Sequence, residues 1–237
     1  MTSILAIETS TVTCSVALQL GSQTIAKCAH EPRSHSKLLM TMVQDILSEA
    51  SLKPSQLDAI GVTVGPGSFT GLRIGFATVQ GLAYANDIPV VPISSLQVMV
   101  ATYLRKYCCD LTSAVGREIV AVLDARMSEY SMGRYGLNDH GEVTTLENDQ
   151  LVSAEQALLL TSIGSPLAII GEADQLVATS PELAAIYKQV YPQAEDVLPI
   201  AQAEFERGNA VPVAEVELVY LRGTEAWQKR KRLREVV

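Results

Sequence analysis

Apolar and polar positions along this chain alternate between a period of two and a period near 3.6. Residues 4–7 are an unbroken apolar run that ends in Glu8, Thr9 and Ser10, which predicts a buried strand closing on an acid and two hydroxyls. Residues 14–20 alternate and predict a second strand, and Gly21-Ser22 turns the chain into a third over 24–29. Leu39, Val43, Ile46, Leu47 and Ala50 then fall at helical spacing within 37–50. The apolar run 59–64 predicts a buried strand. It passes through a glycine-rich turn, 65–75, into a helix over 70–85 capped by Ser68 or Thr70. A short strand at 90–93 and a helix at 94–106 complete the first half.

The second half restarts in the same order. Strands are predicted at 118–124, 129–135 and 142–146, then a helix at 154–163 capped by Ser153, then a strand at 167–170. Helical segments follow near 181–190 and 197–208. No residue-level repeat links the halves; only the element order does. The pattern therefore predicts an α/β chain of two lobes, 1–107 and 108–237, joined by a polar link that carries Cys108 and Cys109.

Composition narrows the function classes. The 237 residues are 48% hydrophobic but only 5% aromatic, so the core is built from Val, Leu, Ile and Ala. Net charge is −8, which opposes tight autonomous binding to RNA, because phosphate neutralisation needs clustered Lys and Arg. The single basic cluster is Lys229 to Arg232 with Arg234, either a solvated face or a surface for tRNA phosphates once an assembly supplies the rest. The four cysteines have no Cys-x-x-Cys spacing, there is no basic leader before an apolar core, and no run suits a bilayer span. The expectation is a reduced, cytoplasmic protein with no membrane association.

The glycine turn is the sharpest chemical feature. Amides at a helix start can hold an anion, so a phosphate loop is one reading. No Gly-Lys-Ser/Thr follows, and Gly65, Gly67 and Gly71 do not fit the dinucleotide spacing because position 70 is Thr. The alternative is a tight turn with close helix packing. His30 and His35 are too near each other and lack a third ligand that would make a zinc site, His140 lies in the turn Asn138-Asp139-His140-Gly141, and no serine sits in a Gly-x-Ser-x-Gly elbow. No catalytic residue and no metal site are assigned.

Three segments carry a family resemblance: Gly65-Pro-Gly-Ser-Phe-Thr-Gly-Leu-Arg-Ile-Gly75, Asp124-Ala-Arg-Met-Ser-Glu-Tyr130, and Val219-Tyr-Leu-Arg222 followed by Trp227. With the opening strand, acid and hydroxyls, they make the chain resemble the TsaB (YeaZ) family over essentially its whole length. Leu218 departs from the Pro usual there. The resemblance implies an actin-like, sugar-kinase-like (ASKHA, RNase H-like) fold with two lobes around mixed five-stranded sheets. It implies a non-catalytic scaffold for transfer of threonylcarbamoyl to the adenosine beside the tRNA anticodon. The expected partners are TsaD and the ATPase TsaE, with a homodimer when alone and tRNA contact only within the complex. The paralogue TsaD carries His-x-x-x-His after the strand matching 90–93, where this chain has Ser95 and Met99. Glu8, Thr9, Ser10, Gly65, Gly67, Ser68 and Asp124 would form a vestigial nucleotide cleft, with no required cofactor. A small ATPase or kinase using Glu8, Asp124 and the 65–75 turn is the rival reading.

The two first-lobe helices carry more apolar surface than one sheet face needs. Leu38 and Met42 lie beside the main stripe of 37–50, while Leu72, Phe76 and Ala77 widen the apolar face of 70–85 around Arg73, its only charge. Burial within the monomer and burial against a partner both account for this. The resemblance favours a partner surface made of Leu38, Met42, Leu72, Arg73, Phe76 and Ala77.

Overall fold

The computed structural model describes residues 2–222 except Pro32, Arg33, Cys109 and Thr179. Trp227 and the basic cluster 229–234 lie outside the described residues. Strands β1 (Ser3–Glu8), β2 (Cys14–Leu20) and β3 (Gln23–Ala29) form an antiparallel meander, followed by α1 (His35–Glu49). Strand β4 (Ala59–Gly65) pairs parallel to β1, α2 (Phe69–Asn86) crosses over, and β5 (Val90–Ser94) pairs parallel to β4. Helix α3 (Ser95–Tyr107) leads to β6 (Glu118–Arg126), β7 (Glu129–Leu137) and β8 (Val143–Ser153). Then come α4 (Ala154–Thr161), β9 (Ala168–Gly171), α5 (Asp174–Val177), α6 (Pro181–Ile186), β10 (Tyr187–Lys188) and α7 (Ala194–Glu206).

The two sheets run β3-β2-β1-β4-β5 and β8-β7-β6-β9-β10, one arrangement used twice. Duplication is thus present in topology although not in residues. Two expectations needed correction. The segment 181–190 is not one helix: Tyr187 and Lys188 pair with Ile169 and Ile170 as an edge strand, where the Tyr187 hydroxyl donates to the Gly171 carbonyl at 2.8 Å. The strand expected at 142–146 continues to Ser153, because β7 offers it a ladder down to Glu129.

The lobes also do not divide the chain at 107/108. Helix α7 lays Ala194, Val197, Leu198 and Ala201 on Ile4, Ala6, Ala17 and Ile93 of the first sheet. Val211 bridges Val90, Val216 joins the first core, and Leu218 packs half-buried against it. Helix α3 faces the other way, burying Leu96, Met99 and Val100 with Ile119 and Ala121 of the second sheet. Each lobe is therefore completed by chain from the other half. Arg105 of α3 grips Asp196 of α7 at 2.6 Å, and the Thr102 hydroxyl donates to the same carboxylate at 2.7 Å. Among the described residues no helix is long and apolar enough to cross a membrane.

Candidate functional site

A cleft of about 740 Å³ opens between the lobes. Its first wall is Ser10 with the turn from Gly67 to Gly71, and its second carries Asp124, Arg126 and Glu172. The structure therefore brings together Ser10, Gly67, Ser68 and Asp124 of the expected set. Glu8, Thr9 and Gly65 lie behind the wall rather than in it. Glu172 escaped the sequence reading, and Arg126 was read only as part of the Asp124–Tyr130 segment and not as a site residue; the chain path puts both opposite the glycine turn.

The polar groups of this site are largely engaged with one another. The Thr9 hydroxyl donates to the Gly71 carbonyl at 2.9 Å. The Ser10 amide and hydroxyl both donate to Glu8 Oε1 at 2.6 Å, while the Ser10 carbonyl accepts from the Ser68 amide at 2.6 Å. Ser68 caps α2, accepting from the Gly71 amide at 3.2 Å. Asp124 accepts from the Arg126 amide at 2.7 Å and pairs with its guanidinium at 3.3 Å. Residues whose types suggest phosphate and metal contacts thus hold the ends of β1, β6 and α2 in place.

The glycines have the same explanation. A Cβ at Gly67 would collide with the Ser10 carbonyl, one at Gly71 with the Thr9 carbonyl, and one at Gly75 with the Thr9 hydroxyl. Helix α2 sits directly on the end of β1 because those side chains are missing. Close packing, one of the two readings of the turn, is what these glycines provide.

Glu8 is fully buried, and burial pushes its carboxyl up to about 7, opposed in part by the hydrogen bonds from Ser10. Its Oε2 and the Thr63 hydroxyl form no hydrogen bond. Glu172 is also raised, first by burial and then by the charge of Asp124. Ser95 and Met99 are both fully buried. The Met99 thioether lies against Gly171, where an added Cβ would come within 3.0 Å of its sulfur.

The expected partner surface is only partly on the outside. Leu72 is 1% exposed and belongs to the interior, because its turn of α2 faces the sheet together with Gly71, Gly75 and Val79. Leu38, Met42 and Phe76 are half-buried, the last two packed against the first core. Arg73 and Ala77 are exposed, and with Gly81 and Tyr84 they form an outward stripe along α2. The Arg73 guanidinium lies 3.7 Å from the centre of the Phe69 ring and donates to the Tyr220 hydroxyl at 3.2 Å. The C-terminal motif thereby meets the glycine motif. It meets the third as well, because Arg222 reaches Glu129 and the carbonyls of Ala125 and Arg126.

Two mixed sheets of this order, closing on a cleft at their strand ends, define a two-lobed actin-like, RNase H-like protein. A family model for TsaD, tRNA N6-adenosine threonylcarbamoyltransferase, matches residues 28–210. The tRNA threonylcarbamoyladenosine biosynthesis protein TsaB of Escherichia coli (strain K12) is 34% identical over 238 residues, spanning 95% of this chain and 97% of its own length. The protein of that name from Haemophilus influenzae is 30% identical, spanning 95% and 96%. The solved structure of YeaZ from Pseudomonas aeruginosa superposes with a TM-score of 0.82 at 32% identity, covering 93% of this chain and all of that one. The chain belongs to the TsaB (YeaZ) family.

Proposed function

We propose that this chain is a non-catalytic scaffold in the formation of threonylcarbamoyladenosine in tRNA. It pairs with a TsaD-type transferase, recruits a TsaE-type ATPase, acts in the cytoplasm, and touches tRNA only within that assembly. The observation that carries this reading is the state of the inherited active centre. Where the transferase would hold a metal through two imidazoles, this chain buries Ser95 and Met99 in its interlobe core. The cleft acid Asp124 and the Thr9 hydroxyl are engaged by backbone groups, and the Ser10 hydroxyl by the Glu8 carboxylate.

The exposed stripe of α2 supports the pairing. Ala77 and Gly81 leave room for another helix to approach closely, and Arg73 and Tyr84 flank them with side chains that often dominate interfaces. Half-buried Leu38 and Met42 of α1 continue the surface. When no partner is present, a second copy occupies it.

The deciding experiment is reconstitution. The purified chain alone should modify no tRNA and hydrolyse no ATP, while adding it to a TsaD-type transferase and a TsaE-type ATPase should restore threonylcarbamoyl incorporation. Untagged transferase should co-purify with it. The cleft favours one rival, a small ATPase or kinase. Magnesium-ATP turnover by the chain alone, lost on Asp124→Ala, would establish that rival and sink the scaffold reading.

A further inference from the structure

We propose that Arg222 is a positioning residue that holds the β6–β7 turn in a conformation the turn would not keep alone, and so fixes the second wall of the cleft. The turn is unusual in its backbone. Arg126, Met127 and Ser128 have φ of 68°, 58° and 60°, three consecutive non-glycine residues in the left-handed region. Met127 and Ser128 are the central pair of a two-residue hairpin loop, where positive φ at both positions is usual but falls to Asn, Asp or Gly. Here neither residue is of that kind, and Arg126 adds a third at a register shift, so each is disfavoured by contact between Cβ and its own backbone. Side-chain packing does not compensate, since Met127 is 79% exposed and the Arg126 side chain 83%.

Hydrogen bonds hold the turn instead. One Arg222 terminal nitrogen donates to the carbonyls of Ala125 and Arg126 at 3.1 Å each, and the other lies 3.3 Å from the Met127 sulfur. Its Nε donates to Glu129 at 3.0 Å, so the carboxylate fixes the planar fork while the fork fixes the turn. Asp124 ties the Arg126 amide, and Ser128 accepts from the Ala154 amide at 2.9 Å. Among the described residues, Arg222 is the one whose hydrogen bonds reach the turn from chain anchored on the first lobe. The segment that delivers it is anchored there by the Val211–Val90 bridge, by buried Val216, and by the Val219 amide donating to Val64 at 2.8 Å. The strap from 211 to 222 therefore couples the first lobe to the wall that carries Asp124 and Arg126. Strain held by its surroundings is a recurrent mark of functional sites, and here one guanidinium adds a hold from outside the hairpin.

Hydrogen exchange and limited trypsin digestion of the full-length protein test this, with cleavage after Arg126 followed by mass. Arg222→Ala should speed that cleavage at least tenfold and accelerate exchange across 124–131, leaving β1 and β2 unchanged. Adding Met127→Gly and Ser128→Gly should then restore much of the protection, because glycine occupies the left-handed region without penalty. A role for Arg222 in general packing would not be rescued by glycines in a distant turn. Unchanged exchange in Arg222→Ala, or no rescue, overturns the proposal. Should Arg222→Ala fail to fold, Glu129→Gln removes the ionic brace alone and should raise cleavage severalfold; equal cleavage would count equally against it.

Discussion

Replacing Glu8 with Gln should make this protein more stable above neutral pH and remove part of its pH dependence. The carboxyl is fully buried, and its pKa rises from 4.5 to about 7, chiefly through desolvation. A folded-state pKa above the unfolded value means the native state binds the proton more tightly. Stability from this group is therefore complete below pH 4.5, declines as pH rises, and is lost above about 7. At roughly 1.4 kcal/mol per unit, the shift corresponds to about 3 kcal/mol over that window, and about 2 kcal/mol between pH 5.5 and 8. Glutamine keeps an acceptor for the Ser10 amide and hydroxyl, and its amide can donate to the unpartnered Thr63 hydroxyl. It does not ionise, so its contribution is flat. Urea unfolding of parent and variant at half-unit steps from pH 5.5 to 8 measures the difference directly. At pH 8 the variant should gain up to about 3 kcal/mol, or roughly 6–12 °C in melting temperature for a domain of this size. Parallel stability curves for the two proteins would refute the reasoning, because Glu8 would then titrate alike in both states.

Other outcomes follow from α2 and the cleft. Gly71→Ala and Gly81→Ala make the same change in one helix with opposite signs. At Gly71 the new Cβ meets the Thr9 carbonyl and should cost about 1–3 kcal/mol or more, while at Gly81 it meets nothing and should stabilise by about 0.5–1 kcal/mol, both read from urea midpoints. Ala77→Glu puts a charge on the exposed stripe of α2. It should leave circular dichroism and melting unchanged yet abolish self-association and transferase binding in sedimentation, since desolvating it costs several kcal/mol only in the complex. Persistent binding would move the interface elsewhere. The isolated chain should show no sub-micromolar tRNA affinity at physiological salt, given its net charge of −8. A steep salt slope lost on neutralising 229–232 would assign that cluster a larger part.

Local pattern alone determined much of this protein. Apolar and alternating runs placed the strands of both meanders, helical spacing marked α1 and α2, and Ser68 stood beside Thr70 as a candidate cap of α2, which the structure assigns to Ser68. The glycine, Asp124 and Arg222 segments were enough to mark the family. These features are short-range, since periodicity, capping and turn chemistry are settled within a few residues.

What tertiary structure decided is which partner each pattern meets. The apolar stripe of α7 specifies a buried face but not the sheet it covers, and chain path carried it back to the first lobe. Two residues of strand at Tyr187 and Lys188 exist only because β9 offers an open edge. Leu72 and Ala77 look alike as apolar positions, yet one turns to the sheet and the other to solvent. Thr9, Ser10 and Asp124 read as ligands for a phosphate or metal because a hydroxyl or carboxylate has the same hydrogen-bonding capacity toward any polar group. The fold brought the Gly71 carbonyl to Thr9, the Glu8 carboxylate to Ser10 and the Arg126 amide to Asp124 first. Arg222 and the turn it grips are nearly a hundred residues apart, a contact that no local spacing encodes and that only the crossing of the two lobes creates.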